Sequence, residues 1–336
     1  MTTPPVHPAQ LIVDLGFGFI LSGALATAAE LGIADHLEQG PKSAGLLAEE
    51  VGAEASSLYR VLRLLASVGV FTEDASGCFG LTPAADYLRS AAPGSLRSAV
   101  LMLTQKIFWA PTGELTETVR TGRTPFDRIF GKPFFDHLAS DPVAGATFHR
   151  GMSSLSDLEN APIARSYDFS ACERVVDVGG GHGGFLIEVL KGSPSLQGVL
   201  FDHRHVLDEA RIADAGLAGR CELVEGDFFK AVPQGADTYL LKRILHDWSD
   251  EVCVGILLNC RRAMKEGGRV LVVDTVIPPG NGPHGGKVLD VMMLASLQGR
   301  ERTEEDLRKL FAQAGLRLAR VLPTPAALSI TEAVAA

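Results

Sequence analysis

The chain has no pair of cysteines spaced to share a metal or a redox bond. Its five cysteines, Cys78, Cys172, Cys221, Cys253 and Cys260, are odd in number and form no CxxC. That argues against a disulfide framework and a structural zinc site, and it fits a reducing, cytoplasmic compartment. Long runs of one charge are also missing. The formal net charge of −9 is spread over short mixed patches, which supplies neither a basic footprint for nucleic acid nor an acidic tail. No basic segment opens MTTPPVHPAQ, and the apolar stretch LIVDLGFGFILSGALATAAELGI is interrupted by Asp14, Glu30 and several glycines. The expectation is no signal peptide and no membrane span. Internal repeats of the solenoid kind are absent too. What is abundant is apolar material, 46% of 336 residues, enough for two packed cores.

From Leu11 to about Leu88 the periodicity is helical. ILSGALATAAELGIADHL predicts an amphipathic helix ending near Gly40 and Pro41. SAGLLAEEVGAEASSLYRVLRLLASVGVF predicts two helices around Gly52, and VFTEDASGCFGLTP a hairpin around Ser76 and Gly77. Helix, turn, helix and wing is the order of a winged-helix module, so a DNA-binding regulator is a question to answer. Ser57 to Leu65 offers two arginines among mostly apolar residues, whereas a recognition helix needs a polar face at base edges. The apolar surplus points instead to a surface buried against a second copy, a homodimer, with N-terminal helices too hydrophobic to stand alone. The expected domains are 1–98, a winged-helix-like dimerisation domain; 99–166, a mostly helical connector lining the site; and 167–336, a catalytic domain.

In the connector, Phe148, Met152 and Ser156 recur every four residues and share one helical face. Spacing alone fits a core stripe and a ligand-facing wall equally well. Beyond Val175 the rhythm changes: RVVDV, GVLFD, CELVE, ADTYLL and RVLVVDT are predicted strands with helices between them, and LRLARVLPT and LSITEAVA are two closing strands. The fold class is therefore α/β, a doubly wound Rossmann-like sheet behind a mostly helical N-terminal domain.

The turn VVDVGGGHGGFLIEVL satisfies the dinucleotide pattern through Gly179, Gly181 and Gly184, with Asp202 further on. The surroundings favour another ligand. Asp177, Asp202 and Asp227 recur at successive strand ends, where a doubly wound sheet binds its ligand. A pyrophosphate suits a helix N-terminus but is repelled by carboxylates. S-adenosylmethionine brings an ammonium, a sulfonium, a ribose diol and an adenine amine, all of which carboxylates suit. Each aspartate taken singly also fits a cap or turn residue, and the glycines fit close packing on the sheet.

VVDVGGGHG, the GDFF of VEGDFF, LLKRILHDWSDE and GRERTEEDL, in this order and at these intervals, resemble the small-molecule O-methyltransferases of the caffeate and flavonoid type and their bacterial antibiotic-tailoring relatives. The resemblance covers nearly the whole chain, including the N-terminal dimerisation module. It implies that the glycine turn (Gly179, Gly180, Gly181, with Asp177) and Asp202 hold the methionine moiety and ribose, that Asp227 and Phe228 embrace adenine, and that Lys242 and Ser156 complete the cofactor site. It makes Phe148 and Met152 part of the site wall with Ser156. It implies that Met292 and Met293 line the acceptor site, to which Trp109 of KIFWAP is a further candidate.

A phenol with a pKa near ~10 is mostly protonated at neutral pH, so an O-methyltransferase benefits from a base, and histidine has the right range. His246 follows the fourth strand of the sheet at the ligand rim, and the resemblance makes it the general base. The family orients that base with acids. One matches Glu301; the other is expected after the fifth strand, where VIPPGNG presents Pro278 and Pro279. Asp247, next to the base, is a candidate to shape its field or only a helix-terminal charge. The apparent gap leaves open a non-methylating use of the bound sulfonium, such as hydroxylation, decarboxylation or pericyclic chemistry. His203 and His205 have no third ligand beside them, so no metal is expected, and His182 in the turn has no assigned role. The expected partner is a hydroxylated aromatic or polyketide-like small molecule, with no nucleic acid and no membrane.

Overall fold

A computed structural model describes residues 7–336; residues 1–6, on which part of the expectation about a signal peptide rests, lie outside the described residues. The chain divides into two compact units. The first takes the chain to Lys106 together with Asp141–Leu155, and the second takes Ile107–Ser140 and Ser156–Ala336. The stretch expected as one connector is thus shared between them, with the division falling inside the helix Pro142–Ala164.

In the first unit the helices Ala44–Val51 and Ala55–Ser67 are started by side-chain caps. Ser43 Oγ accepts from the Leu46 amide, and the Glu54 carboxylate accepts from the Ser56 and Ser57 amides, filling donors the helix itself cannot. Gly52, at φ 68°, turns between them. The strands β1 (Lys42–Ser43), β2 (Phe71–Glu73) and β3 (Cys78–Leu81) pair antiparallel in the order β1-β3-β2. Helix Ala55–Ser67 buries Leu58, Leu62 and Leu65 together with Phe71 and Phe79 of the wing, and leaves Arg60 and Arg63 outward. This corrects one expectation: the apolar surplus of that helix covers its own unit's core, not a partner. The uncovered apolar surface lies earlier. Helix Pro8–Gly16 buries no side chain, and Leu11, Ile12, Leu15, Phe17, Phe19 and Ile20 are all exposed.

The helix expected to run on toward Gly40 ends at Glu30. Gly32, at φ 64°, reverses the chain into a one-turn helix, Ile33–His36. Among the described residues Pro8–Glu30 has the length and mean hydropathy, 1.8, of a membrane-crossing segment by composition alone, but a turn at Phe17 breaks it into two helices. Gly151 permits a close packing inside this unit: a Cβ there would come 2.3 Å from Met102 Cβ and 2.9 Å from the Ser98 carbonyl.

The second unit carries a seven-stranded sheet of β4 (Arg174–Val178), β5 (Gln197–Asp202), β6 (Cys221–Glu225), β7 (Thr238–Lys242), β8 (Arg269–Asp274), β9 (Leu316–Pro323) and β10 (Ser329–Ala335), in the order β6-β5-β4-β7-β8-β10-β9. β4 to β8 are parallel; β10 runs antiparallel between β8 and β9. Val176 and Val178 of β4 enter one core and Val175 the other, and β7 and β8 divide their residues in the same way. Burial on both faces explains why these strands are continuous apolar runs. The chain passes outward from β4 to β6 and returns on the other side of β4 as β7. That switch opens a crevice at the carboxyl ends of β4, β5 and β7.

Gly151→Ala is expected to cost about 1–3 kcal/mol through overpacking against Met102. The measurement is a urea midpoint that falls with its slope unchanged; an unchanged midpoint would mean that Met102 yields freely.

Candidate active site

At the end of β4 the chain turns through Gly179, Gly181 and Gly183, all with positive φ (67°, 58° and 81°), before the helix Gly184–Gly192. Only glycine adopts such a series without strain. At Gly180 the limit is space: a Cβ would lie 2.6 Å from the Asp177 carboxylate and 2.5 Å from Leu200. Asp202 closes β5 with its carboxylate accepting from the Gly181 amide at 2.9 Å and the His203 amide at 2.7 Å, which fixes it across the turn. Phe228 lies against Gly179, its ring 3.3 Å from where a Cβ would be, and Asp227 accepts from the Phe229 amide at 2.9 Å. Lys242, ending β7, donates to Ser156 Oγ at 3.1 Å.

Asp177 is 1% exposed and its Oδ2 has no hydrogen-bond partner. Burial raises its pKa to about 7, opposed by Lys242 and reinforced by Asp202. Burial and the neighbouring Arg243 lower Lys242 to about 8. Asn160, which nothing in the sequence marked, is buried with its Oδ1 unpartnered. Beside it Asp157 and Arg211 form a two-bond ion pair of 2.8 and 3.0 Å next to Gly184. Buried acceptors without donors ask for a ligand that brings donors. Carboxylates on three sides of the turn fit the ammonium and ribose hydroxyls of S-adenosylmethionine and do not fit a pyrophosphate.

His246 lies on a three-residue turn, Leu245–Asp247, just past β7, and is 6% exposed. Its Nδ1 is 2.8 Å from Glu301 Oε1 and its Nε2 3.4 Å from Asp247 Oδ1. Burial by itself lowers the pKa of an imidazole, but Asp247, Glu301 and Asp274 outweigh it and raise His246 to about 9. Asp247 in turn is raised to about 6, chiefly by burial. Asp274, the last residue of β8, is buried with its Oδ1 unpartnered, and burial raises its pKa while His246 opposes the shift. This corrects the expectation of a missing acid. The loop at Pro278 and Pro279 has none, but the strand delivers one a few residues earlier. The Glu301 backbone amide donates to Asp290 at 2.9 Å, so the acid that meets the ring is itself held.

The other candidates separate. Met293 is buried and Met292 half-buried on helix Gly285–Ser296. Phe148 and Met152 belong to the first unit and Ser156 to the second. Trp109 is 42% exposed. The aromatic group that forms by the His246 turn is a different one: Trp248 stacks on Phe135 at 5.4 Å and meets Phe229 edge-on at 4.8 Å. Trp248 was visible in the HDW triplet; Phe135 had no local signal. His203 and His205 stack on each other at 5.8 Å, and His182 lies 3.6 Å from Glu209. A hollow of about 520 Å³, lined by Arg174, Arg220, Glu222 and Lys265 among others, opens at the opposite ends of these strands. Its cations already pair with Glu222, Glu173 and backbone carbonyls, and it has no part in this site.

The chain is similar to known proteins over nearly its whole length. A profile described as the O-methyltransferase domain matches residues 112–317, and one described as the O-methyltransferase dimerisation domain matches residues 13–90. The chain is 41% identical over 329 residues to the phenazine O-methyltransferase of Lysobacter antibioticus, covering 97% of this chain and 96% of that one. Among solved structures it is similar to the methyltransferase of calicheamicin biosynthesis in its S-adenosylhomocysteine-bound form, at 43% identity and TM-score 0.89, with all of both chains covered. It is also similar to an O-methyltransferase of neocarzinostatin biosynthesis in complex with S-adenosylmethionine and 2-hydroxy-5-methyl naphthoic acid, at 37% identity and TM-score 0.81, covering 94% of this chain and 96% of that one.

The raised pKa of His246 has a sign that can be measured. A charged form favoured by the fold adds stability below about pH 6.5, and that contribution is lost as pH rises toward about 9. Histidine NMR should place the parent titration near 9, and Glu301→Gln should move it down; a parent titration at or below the ordinary 6.5 would contradict the site electrostatics.

Proposed function

This chain belongs to the S-adenosylmethionine-dependent O-methyltransferases of the antibiotic-tailoring type, and from that premise we propose that it methylates a hydroxyl of an aromatic or polyketide-like acceptor with His246 as general base. The observation that carries this reading is the buried imidazole at the carboxyl end of β7, fixed through Nδ1 by Glu301 at 2.8 Å. S-adenosylmethionine supplies an electrophilic methyl group on a sulfonium, whose departure as a neutral thioether needs no acid.

The chain's own residues do the rest. Asp177, Asp202, Asp227, Phe228, Lys242 and Ser156 bind and orient the cofactor, with Gly179, Gly180 and Gly181 giving it close approach. The acceptor's proton passes to His246 Nε2 as its oxygen attacks, and Glu301 and Asp274 stabilise the imidazolium that results. Asp247 faces the same nitrogen and competes for it until an acceptor enters. Met292 and Met293 offer polarizable, adaptable surface to a flat ring; Trp109 is a further wall candidate. Direct transfer then depends on alignment of oxygen, methyl and sulfur. The acid supplied by Asp274 removes the motive for a non-methylating reaction.

We also infer a homodimer in the cytoplasm, built on the exposed apolar face of Leu11, Leu15, Phe17 and Phe19, which falls largely within the matched dimerisation profile.

With methyl-labelled S-adenosylmethionine and a panel of phenols, catechols and hydroxyquinones, label should appear in a product heavier by one methyl, with S-adenosylhomocysteine released. A product changed without label would replace methyl transfer by another reaction. His246→Ala should lower kcat by ~10² to 10⁴ with cofactor affinity unchanged in calorimetry; a parental rate removes the base assignment. Because His246 titrates high, kcat/KM should rise with pH and level off near 9. In sedimentation, Leu15→Glu with Phe19→Glu should convert a dimer to monomer, and a parent that sediments as a monomer would refute the dimer.

A further inference from the structure

A general base carried by one turn of 3₁₀ helix needs external support, because so short a helix has little stability of its own. The support comes from four consecutive residues distant in sequence. At Gly299 a Cβ would fall 1.9 Å from the His246 carbonyl oxygen and 2.4 Å from the Asp247 carbonyl carbon, so this segment lies directly on the peptide planes of the turn. Glu301 reaches the imidazole. Arg302, 3% exposed, spends its guanidinium on the backbone around it. Nη1 donates to the Leu245 carbonyl at 2.8 Å and Nη2 to the Trp248 carbonyl at 3.0 Å, the residues immediately before and after the His246–Asp247 pair.

Asp250 Oδ1 receives Nε at 3.0 Å and Nη2 at 2.7 Å, offsetting the buried charge. The Cys253 thiol donates to the same Leu245 carbonyl at 3.1 Å. Arg302 is anchored in turn by its own backbone, whose carbonyl accepts from the Ile277 amide at 3.0 Å beyond β8. No other cationic side chain has this reach: a planar fork with five N–H groups can bracket two carbonyls and a carboxylate at once, and an ammonium cannot.

We propose that Arg302 is a positioning residue for the methyl-transfer reaction: together with Gly299 it clasps the Leu245–Trp248 backbone and thereby sets the angle at which His246 meets both Glu301 and the acceptor. The proposal rests on His246 being the base, and its test separates the two.

Arg302→Lys keeps the charge and loses the fork; Gly299→Ala keeps the fork and pushes the turn away. Each should lower kcat about 10- to 100-fold, the scale of a small misplacement of a reacting group, while KM for cofactor and acceptor stays within about threefold. Each should also displace the limb of the kcat pH profile, because the imidazole no longer meets Glu301 in the same geometry. Where Arg302→Lys fails to fold, Asp250→Asn decides on the same readouts, since that side chain is 40% exposed and loosens the guanidinium from outside. Parental kcat and pH profile in the folded variants, with His246→Ala still inactive, overturn the clasp and leave the base. A parental rate in His246→Ala overturns the base itself. A loss that follows only the unfolded fraction, or one that falls on KM alone, also overturns the clasp.

Discussion

One imidazole held among carboxylates out of reach of water is the constraint on which the C-terminal unit depends. Burial of a charge is expensive unless it is paired and hydrogen-bonded. Burial pushes the pKa of His246 down, and Asp247, Glu301 and Asp274 together raise it to about 9. Three carboxylates in one buried place would repel each other in turn, so the imidazolium and the guanidinium of Arg302 are as necessary to the acids as the acids are to them. Arg243, in the left-handed conformation at φ 55° and bonded twice to Glu159, adds a further balanced pair at the start of the same segment. The site is a small ionic lattice at the end of a sheet, its members drawn from three places: the turn before helix Asp250–Ala263, the end of β8, and the loop after helix Gly285–Ser296.

Around the glycine turn the acids are left with acceptor capacity to spare, and Asp177 Oδ2 and Asn160 Oδ1 have no partner among the described residues. This end of the site is short of donors, and a cationic, hydroxyl-bearing ligand supplies them. The same strand, β7, serves both ends: Lys242 closes it beside Ser156, and His246 follows one turn later. Donor and base are therefore registered to each other by a few covalent bonds of backbone, which is economical for a reaction that depends on alignment.

The N-terminal unit obeys hydrophobic bookkeeping of a simpler kind. Its winged-helix elements are self-contained, with Leu58, Leu62 and Leu65 turned onto the wing. What it leaves uncovered is the surface of the first two helices, where a row of leucine, isoleucine and phenylalanine side chains faces outward. A contiguous apolar surface of this kind is costly in water and is stable when a second surface covers it. The family's dimerisation profile reaches from residue 13 to 90 and takes in most of that face.

Much of the fold was legible because local periodicity encodes it: every strand of the large sheet was placed within a residue or two, and the glycine turn, Asp202, Asp227, Lys242 and His246 all stand where their motifs put them. The sequence by itself determined the α/β architecture, the ligand crevice and the chemical character of its rim, since strand alternation, turn glycines and an acid at each strand end are short-range patterns. Only the tertiary structure decided which groups meet. Asp274 read as the tail of an apolar strand and proved to be the acid beside the base. The apolar face of Ala55–Ser67 read as an interface and proved to be core. Gly299 and Arg302 stood inside the GRERTEEDL motif but were read only for Glu301, because their contacts are with a turn some fifty residues away, and an interaction between segments that distant is fixed by packing, which periodicity does not record.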